Sequence, residues 1–196
     1  MPTIRWRGNI PWNTDFPEAP LPPGAKQLHR PDNLFTASLP YGILPLLASY
    51  GVLYVKWFLL DEVAVNPLYM PVGVVFGMLF VIVHELLHAV CYGRNQTVHI
   101  GVSLDKFAAF AVCHEPISRK RFIAMSLAPM LLGVLPLLLF LIAPPSEIIS
   151  GICVPMGIVG MLSPMPDYMD VHLVCRQTSR GCVIQSQNDG IYWYPA

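Results

Sequence analysis

The stretch from Met70 to Val90, MPVGVVFGMLFVIVHELLHAV, decides how the rest of this chain is read. It is apolar nearly throughout. At about 1.5 Å per residue it is long enough to cross the roughly 30 Å hydrocarbon core of a bilayer as one helix. Near its end His84, Glu85 and His88 form the pattern H-E-x-x-H. Four residues apart on a helix, the two histidines project from one face, where two imidazole nitrogens can hold one Zn²⁺. Glu85 points about a quarter-turn away, within reach of a water on such a metal, as the general base of a metallohydrolase would. Charged residue types at the centre of a span add about 2.5–3.5 kcal/mol each to its insertion, so this trio is expected to be paired or metal-bound.

Composition agrees with a membrane setting. Of 196 residues, 54% are hydrophobic and 12% charged, against about 25% charged in an ordinary soluble domain. The expected fold class is an all-α membrane protein, and the net charge of zero argues against a nucleic-acid partner. Besides 70–90, candidate spans are 41–60, 122–143 and a run from 148 to about 162, which is short unless it continues through Ser163 and Pro164. Lys56 falls in the first of these, where it could snorkel. The first forty residues hold Pro2, Pro11, Pro17, Pro20, Pro22 and Pro23 and lack an apolar signal core. They read as extended or disordered up to about Gly24. Cys91, Cys113, Cys153, Cys175 and Cys182 are odd in number and lack zinc-finger spacing, which suits free thiols.

Lysine and arginine orient the spans. Arg5, Arg7, Lys26 and Arg30 precede the first span; Arg94, Lys106, Arg119, Lys120 and Arg121 follow the second; Arg176 and Arg180 follow the fourth. The segments 61–69 and 144–147 contain no Lys or Arg. By the positive-inside rule this gives four spans in a cell membrane with both termini cytoplasmic. His84 then lies roughly 21 Å along its crossing, in the cytoplasmic third. Counting from Glu147, Asp167 lies roughly 30 Å along the fourth span, close in depth to His88.

Catalytic zinc usually takes three protein ligands. Pro164-Met165-Pro166-Asp167-Tyr168-Met169-Asp170 supplies the candidates for the third, because prolines suit a broken helix that restarts with a carboxylate at a cavity. Asp167 is the preferred ligand, and Asp170 a partner behind it or an alternate. Asp167 could instead simply cap a helix N-terminus. His99, His114, Glu115 and His172 lie on the same side of the membrane; of these His114 is the one suited to orient substrate or to close a fourth position. Between the second and third spans, residues 98–112 show short strand patterning with Gly101 and Asp105-Lys106 as turn signals, which predicts a β-hairpin at the cytoplasmic surface. Its edge would suit an extended substrate. Gly73 and Gly77 form G-x-x-x-G, which lets another helix approach, in this chain or a second one, and leaves the oligomeric state open. Pro129 and Pro136 are expected to kink the third span.

Together, His84-Glu85-Leu86-Leu87-His88, the segment Cys113-His114-Glu115-Pro116-Ile117, Arg119-Lys120-Arg121 leading to Ser126-Leu127-Ala128-Pro129, and Asp167-Tyr168-Met169-Asp170 resemble the putative zincin peptidases, small multi-pass bacterial membrane proteins. The resemblance runs from about Val83 to the C-terminus, including Gln187-Asn188-Asp189-Gly190-Ile191-Tyr192, which suits a polar hairpin turn at Asp189-Gly190. More distantly the layout is similar to site-2 proteases, which combine H-E-x-x-H with a late aspartate after a proline-rich stretch. Tyr168 stands where those enzymes carry glycine.

The division this implies is a proline-rich arm (1–40), a membrane metallopeptidase-like domain (41–177) and a short tail (178–196). The expected activity is zinc-dependent hydrolysis of a peptide or membrane-protein substrate near the cytoplasmic face. The alternatives are a non-catalytic metal-binding scaffold or partner-binding protein and, more weakly, a metal transporter.

Overall fold

Hydrophobic runs set the helices of this chain, and prolines set where they break. The computed structural model describes residues 1–12, 14–60, 66–106 and 108–196, so part of the expected loop, 61–65, lies outside the described residues. Four helical stretches are long and apolar enough to cross a membrane: Leu34–Leu60, Pro67–Val90, Arg119–Ile142 and Glu147–Gln177. Leu44, Leu47, Phe58, Val75, Met78 and Leu79 stay exposed along the first two. Apolar surface of that density is what a bilayer covers.

The first stretch is α1 (Leu34–Ser38), a 3₁₀ turn and α2 (Ile43–Leu60); the second carries α3 (Met70–Val90). The third is α4 (Arg119–Leu127) and α5 (Leu131–Ile142), separated by a 3₁₀ turn that contains Pro129. The fourth is α6 (Glu147–Leu162), which stops at Ser163-Pro164 and restarts as α7 (Met165–Gln177).

The all-α expectation does not describe the whole chain, because two sheets stand beside the helices. One has the order β1 (Thr3–Asn9), β3 (Thr97–Ser103), β4 (Ala108–Val112); the other runs β2 (Lys26–Gln27), β7 (Gly190–Pro195), β6 (Cys182–Gln187), β5 (Ile117–Ser118). The expected hairpin is β3–β4, with Val102 opposite Ala109 and Ile100 opposite Ala111. The arm adds β1 to it in parallel, Ile4 against Val98 and Trp6 against Ile100. Ile4 and Trp6 alternate with Thr3, Arg5 and Arg7, a period-2 pattern that puts both apolar side chains on one face of the strand, where they stay exposed. The C-terminal turn is formed by Asn188-Asp189, and Gly190 closes it opposite Gln187 at φ 156°, a left-handed value that favours glycine.

By its contacts the chain divides into two compact units. One comprises Phe35–Val81 and Pro129–Pro166. Its helices meet through glycines. A Cβ on Gly133 of α5 would lie 2.3 Å from the Met161 backbone N of α6, and one on Gly160 would lie 2.6 Å from the Gly133 N. Gly73 and Gly77 of α3 pack on α6 in the same way, so the G-x-x-x-G pair serves a contact within the chain. A Cβ at Gly73 would stand 2.2 Å from the Ile152 carbonyl oxygen, which is backbone and cannot swing aside. Gly73→Ala is therefore expected to destabilise the protein by about 1–3 kcal/mol, read as a lower melting temperature in detergent. An unchanged melt would contradict this packing.

Lys56 does not snorkel. It is 1% exposed and donates to the carbonyls of Phe140 and Ala143 at the end of α5. The reason lies in the sequence. A helical carbonyl at Phe140 would accept from residue 144, but that is Pro144, which has no N–H. The ammonium supplies the missing donor and sits 4.3 Å from the Phe140 ring centroid.

The other unit comprises Met1–Leu34, Ile82–Ala128 and Asp167–Ala196. Both sheets belong to it, with the last turns of α3, with α4 and with nearly all of α7. Its core joins Ala89 and Tyr92 from the end of α3, Val98 and Ile100 of β3, Phe122 of α4, Val174 of α7 and Ile184 of β6. All the residues singled out as a candidate site lie in this unit.

Candidate metal centre

Helical spacing brings His84 and His88 together on α3, with ring centroids 4.8 Å apart at an interplanar angle of 70°. His84, Glu85 and His88 each offer a ligand atom within 4.8 Å of the other two. Asp167, in the first turn of α7, faces both imidazoles. Its Oδ2 lies 3.2 Å from His84 Nε2, and its Oδ1 lies 3.3 Å from His88 Nε2. The two histidine side chains are nearly covered, 10% and 12% exposed, and Asp167 is at 20%.

The second imidazole nitrogen of His88 is fixed by α4. His88 Nδ1 lies 3.0 Å from the Met125 carbonyl oxygen, which can only accept. That carbonyl is available because the residue four positions on is Pro129, without an N–H; within α4 it is met only by the Ala128 N–H in a tighter turn. With Nδ1 protonated, Nε2 is the His88 nitrogen turned toward an Asp167 oxygen. At 3.3 Å the two atoms need a cation between them: a proton on Nε2, or a metal ion that the Nε2 lone pair and the carboxylate share. Two ligands at 2.0–2.1 Å from a tetrahedral zinc are separated by about 3.3 Å, so the donor set and its spacing fit that ion.

Glu85 points to the hairpin. The backbone N–H of Ala111 in β4 lies near its carboxylate. Among the described residues β4 pairs with β3 alone in its sheet, so it is an edge strand, and Ala111 brings it near Glu85.

The other candidates have different partners. Both oxygens of Asp170 are taken by Arg30, Nε to Oδ1 at 3.0 Å and Nη2 to Oδ2 at 2.9 Å, a bidentate pair that holds the arm to α7. Arg30 carries no sequence signal, because the pairing spans 140 residues. His114 is buried with Nδ1 3.2 Å from the Pro17 carbonyl. His99 accepts at Nδ1 from Arg7 Nε at 3.0 Å and stacks on Phe16. Burial and then the neighbouring Arg7 and Arg5 cations lower its pKa, which keeps it neutral and an acceptor. Burial raises the Cys113 thiol pKa, as suits a protonated core thiol and not a nucleophile. The cysteines are all free.

An H-E-x-x-H helix with a facing carboxylate from a second helix defines a zincin-type site. Over residues 77–183, more than half of its length, the chain matches the family described as "Putative zincin peptidase", and it belongs to that family. No curated protein and no solved structure is similar enough to match. Membership supports a peptidase in general terms, and the His84, Glu85 and His88 cluster lies inside the matched region.

Proposed function

We propose that this protein is a zinc-dependent membrane endopeptidase that cleaves peptide bonds near the cytoplasmic face, with both termini on that side of a cell membrane. His84, His88 and Asp167 would hold the zinc ion. When bound, the metal supplies Lewis acidity to a scissile carbonyl and to water. The observation that carries this reading is the convergence of two imidazole Nε2 atoms on one carboxylate, beside a glutamate that faces an open strand edge.

Each residue then has a task. Asp167 neutralises the cation and draws both imidazoles toward it. The Met125 carbonyl sets the His88 tautomer, so that Nε2 is the nitrogen with the free lone pair. Glu85 takes a proton from the attacking water on its carboxylate and returns it to the leaving amine. The outer edge of β4 aligns an extended substrate by main-chain pairing beside Glu85. The substrate is an unfolded peptide or a strand-forming segment of a membrane protein, since an intact helix has no backbone groups to offer that edge. The scaffold alternative needs a fourth protein ligand; His114, the residue suited to that role, is turned toward Pro17.

Protein reconstituted in lipid bilayers is expected to cleave an unstructured reporter peptide, to lose that cleavage on chelation and to regain it on addition of Zn²⁺. Cleavage that chelation leaves untouched would overturn the reading.

A further inference from the structure

Residues 16–19, Phe-Pro-Glu-Ala, lie outside helix and strand and are held as a bound peptide would be. The Phe16 N–H donates to Asn188 Oδ1 at 3.1 Å, and Asn188 Nδ2 donates back to the Phe16 carbonyl at 3.0 Å. Gln185 and Gln187 both donate through Nε2 to the Ala19 carbonyl, at 2.9 and 2.6 Å. His114 Nδ1 meets the Pro17 carbonyl. All these bonds go to main-chain groups and would form with other side chains in the segment. A side-chain amide that pairs with both backbone groups of one residue reads the main chain and not the sequence.

Selectivity comes from two further contacts. Phe16 stacks on His99, centroids 5.0 Å apart and nearly parallel, and Glu18 Oε1 accepts from the Asn188 N–H at 2.7 Å. The pattern recognised is an aromatic residue, then an acidic one two positions later, then a small one.

The grip is shallow. Pro17 and Glu18 are exposed, and Phe16 and Ala19 only half-buried. Phe16 also lines two cavities, of about 280 and 250 Å³, that the segment leaves unfilled. A stretch with few buried contacts opens without global unfolding. The groove is thus occupied by a ligand-like segment that neither fills it nor is locked in it.

We propose that Asn188, Gln185, Gln187 and His114 form a clamp for the main chain of an extended peptide, and that residues 16–19 are its resident, exchangeable occupant. The partner is a protein segment carrying aromatic-x-acidic-small in extended conformation. His114 lies three residues beyond Ala111 and two beyond the end of β4, so the clamp begins within about 10 Å of the strand that passes Glu85. Binding at the clamp does not depend on peptidase activity.

The test uses the full chain carrying Glu85→Gln, so that no peptide can be cut, and a fluorescent peptide with the sequence of residues 14–23, followed by anisotropy in detergent micelles. In this background the resident segment competes and binding is weak. Adding Phe16→Ala loosens the resident and is expected to tighten binding of the added peptide at least tenfold. Adding Asn188→Ala or, separately, Gln187→Ala to that chain is expected to reverse the gain. A peptide with alanine for the phenylalanine and lysine for the glutamate is expected to bind at least tenfold more weakly. No gain with Phe16→Ala, or a gain that survives both clamp substitutions, would overturn the proposal. Cleavage plays no part in the readout, so the clamp and the peptidase reading fail or stand separately.

Discussion

Glu85→Gln is expected to keep the metal and to lower peptide cleavage by about 10²–10⁴-fold, the usual range for loss of a positioned general base. The substitution isolates one property. Glutamine has the size of glutamate, tolerates the helix equally well, and keeps a carbonyl oxygen near the Ala111 N–H. What it lacks is a basic oxygen that can take a proton and give it back. Nearby His84 and His88 are unsuited to replace it, because in the proposed site their Nε2 lone pairs belong to the ion. The loss should fall on kcat with KM little changed, since Glu85 acts in the transition state and the substrate is aligned by the strand edge. The measurement pairs cleavage kinetics in proteoliposomes with zinc content of the same sample. Full cleavage with full zinc would remove Glu85 from the mechanism; loss of both would make it a ligand, which its place in the His84–Glu85–His88 cluster permits.

Local rules made this site readable in the sequence. His84, Glu85 and His88 are fixed relative to one another by helix geometry alone, and the prolines before Asp167 announced a helix that stops and restarts. The β3–β4 hairpin was likewise visible from its alternation and its turn residues. What escaped depends on partners far along the chain. β1 reads in the sequence as part of an irregular arm because its strand character rests on pairing with β3, some 94 residues later, as in Thr3 against Thr97. The Arg30–Asp170 pair and the amide contacts of Asn188 and Gln185 to the arm are equally remote.

Two missed details did have a local signal. Met125 and Phe140 each precede a proline by four residues, at Pro129 and Pro144, and each carbonyl so deprived accepts from a cation or imidazole instead. Proline four residues after an apolar position in a span marks a carbonyl open to a side-chain donor. In one case the donor is a buried lysine. In the other it is a histidine of the proposed zinc site, so the same covalent fact sets a helix end and a tautomer.

Asp167→Asn is expected to weaken zinc binding by more than 100-fold, whereas Asp170→Asn is expected to stay within the 10–100-fold range of a supporting partner. The two aspartates lie one turn apart on α7, and their surroundings separate them. Asp167 has one oxygen on each imidazole. Asp170 has both oxygens on Arg30, and to reach a metal it would have to abandon a bidentate ion pair and leave a guanidinium with no partner. Asparagine keeps the shape of each side chain, so a folded variant is expected at both positions; at Asp167 it removes the negative charge that offsets the dication, and at Asp170 it loosens the attachment of the arm to α7. Zinc content after dialysis against a graded chelator series reads the difference, and a thermal melt of each variant in the presence of metal separates lost affinity from lost fold. If Asp170→Asn empties the site while Asp167→Asn retains the ion, the ligand assignment is inverted, and the Arg30 pair becomes the resting state of a carboxylate that must swing to the metal.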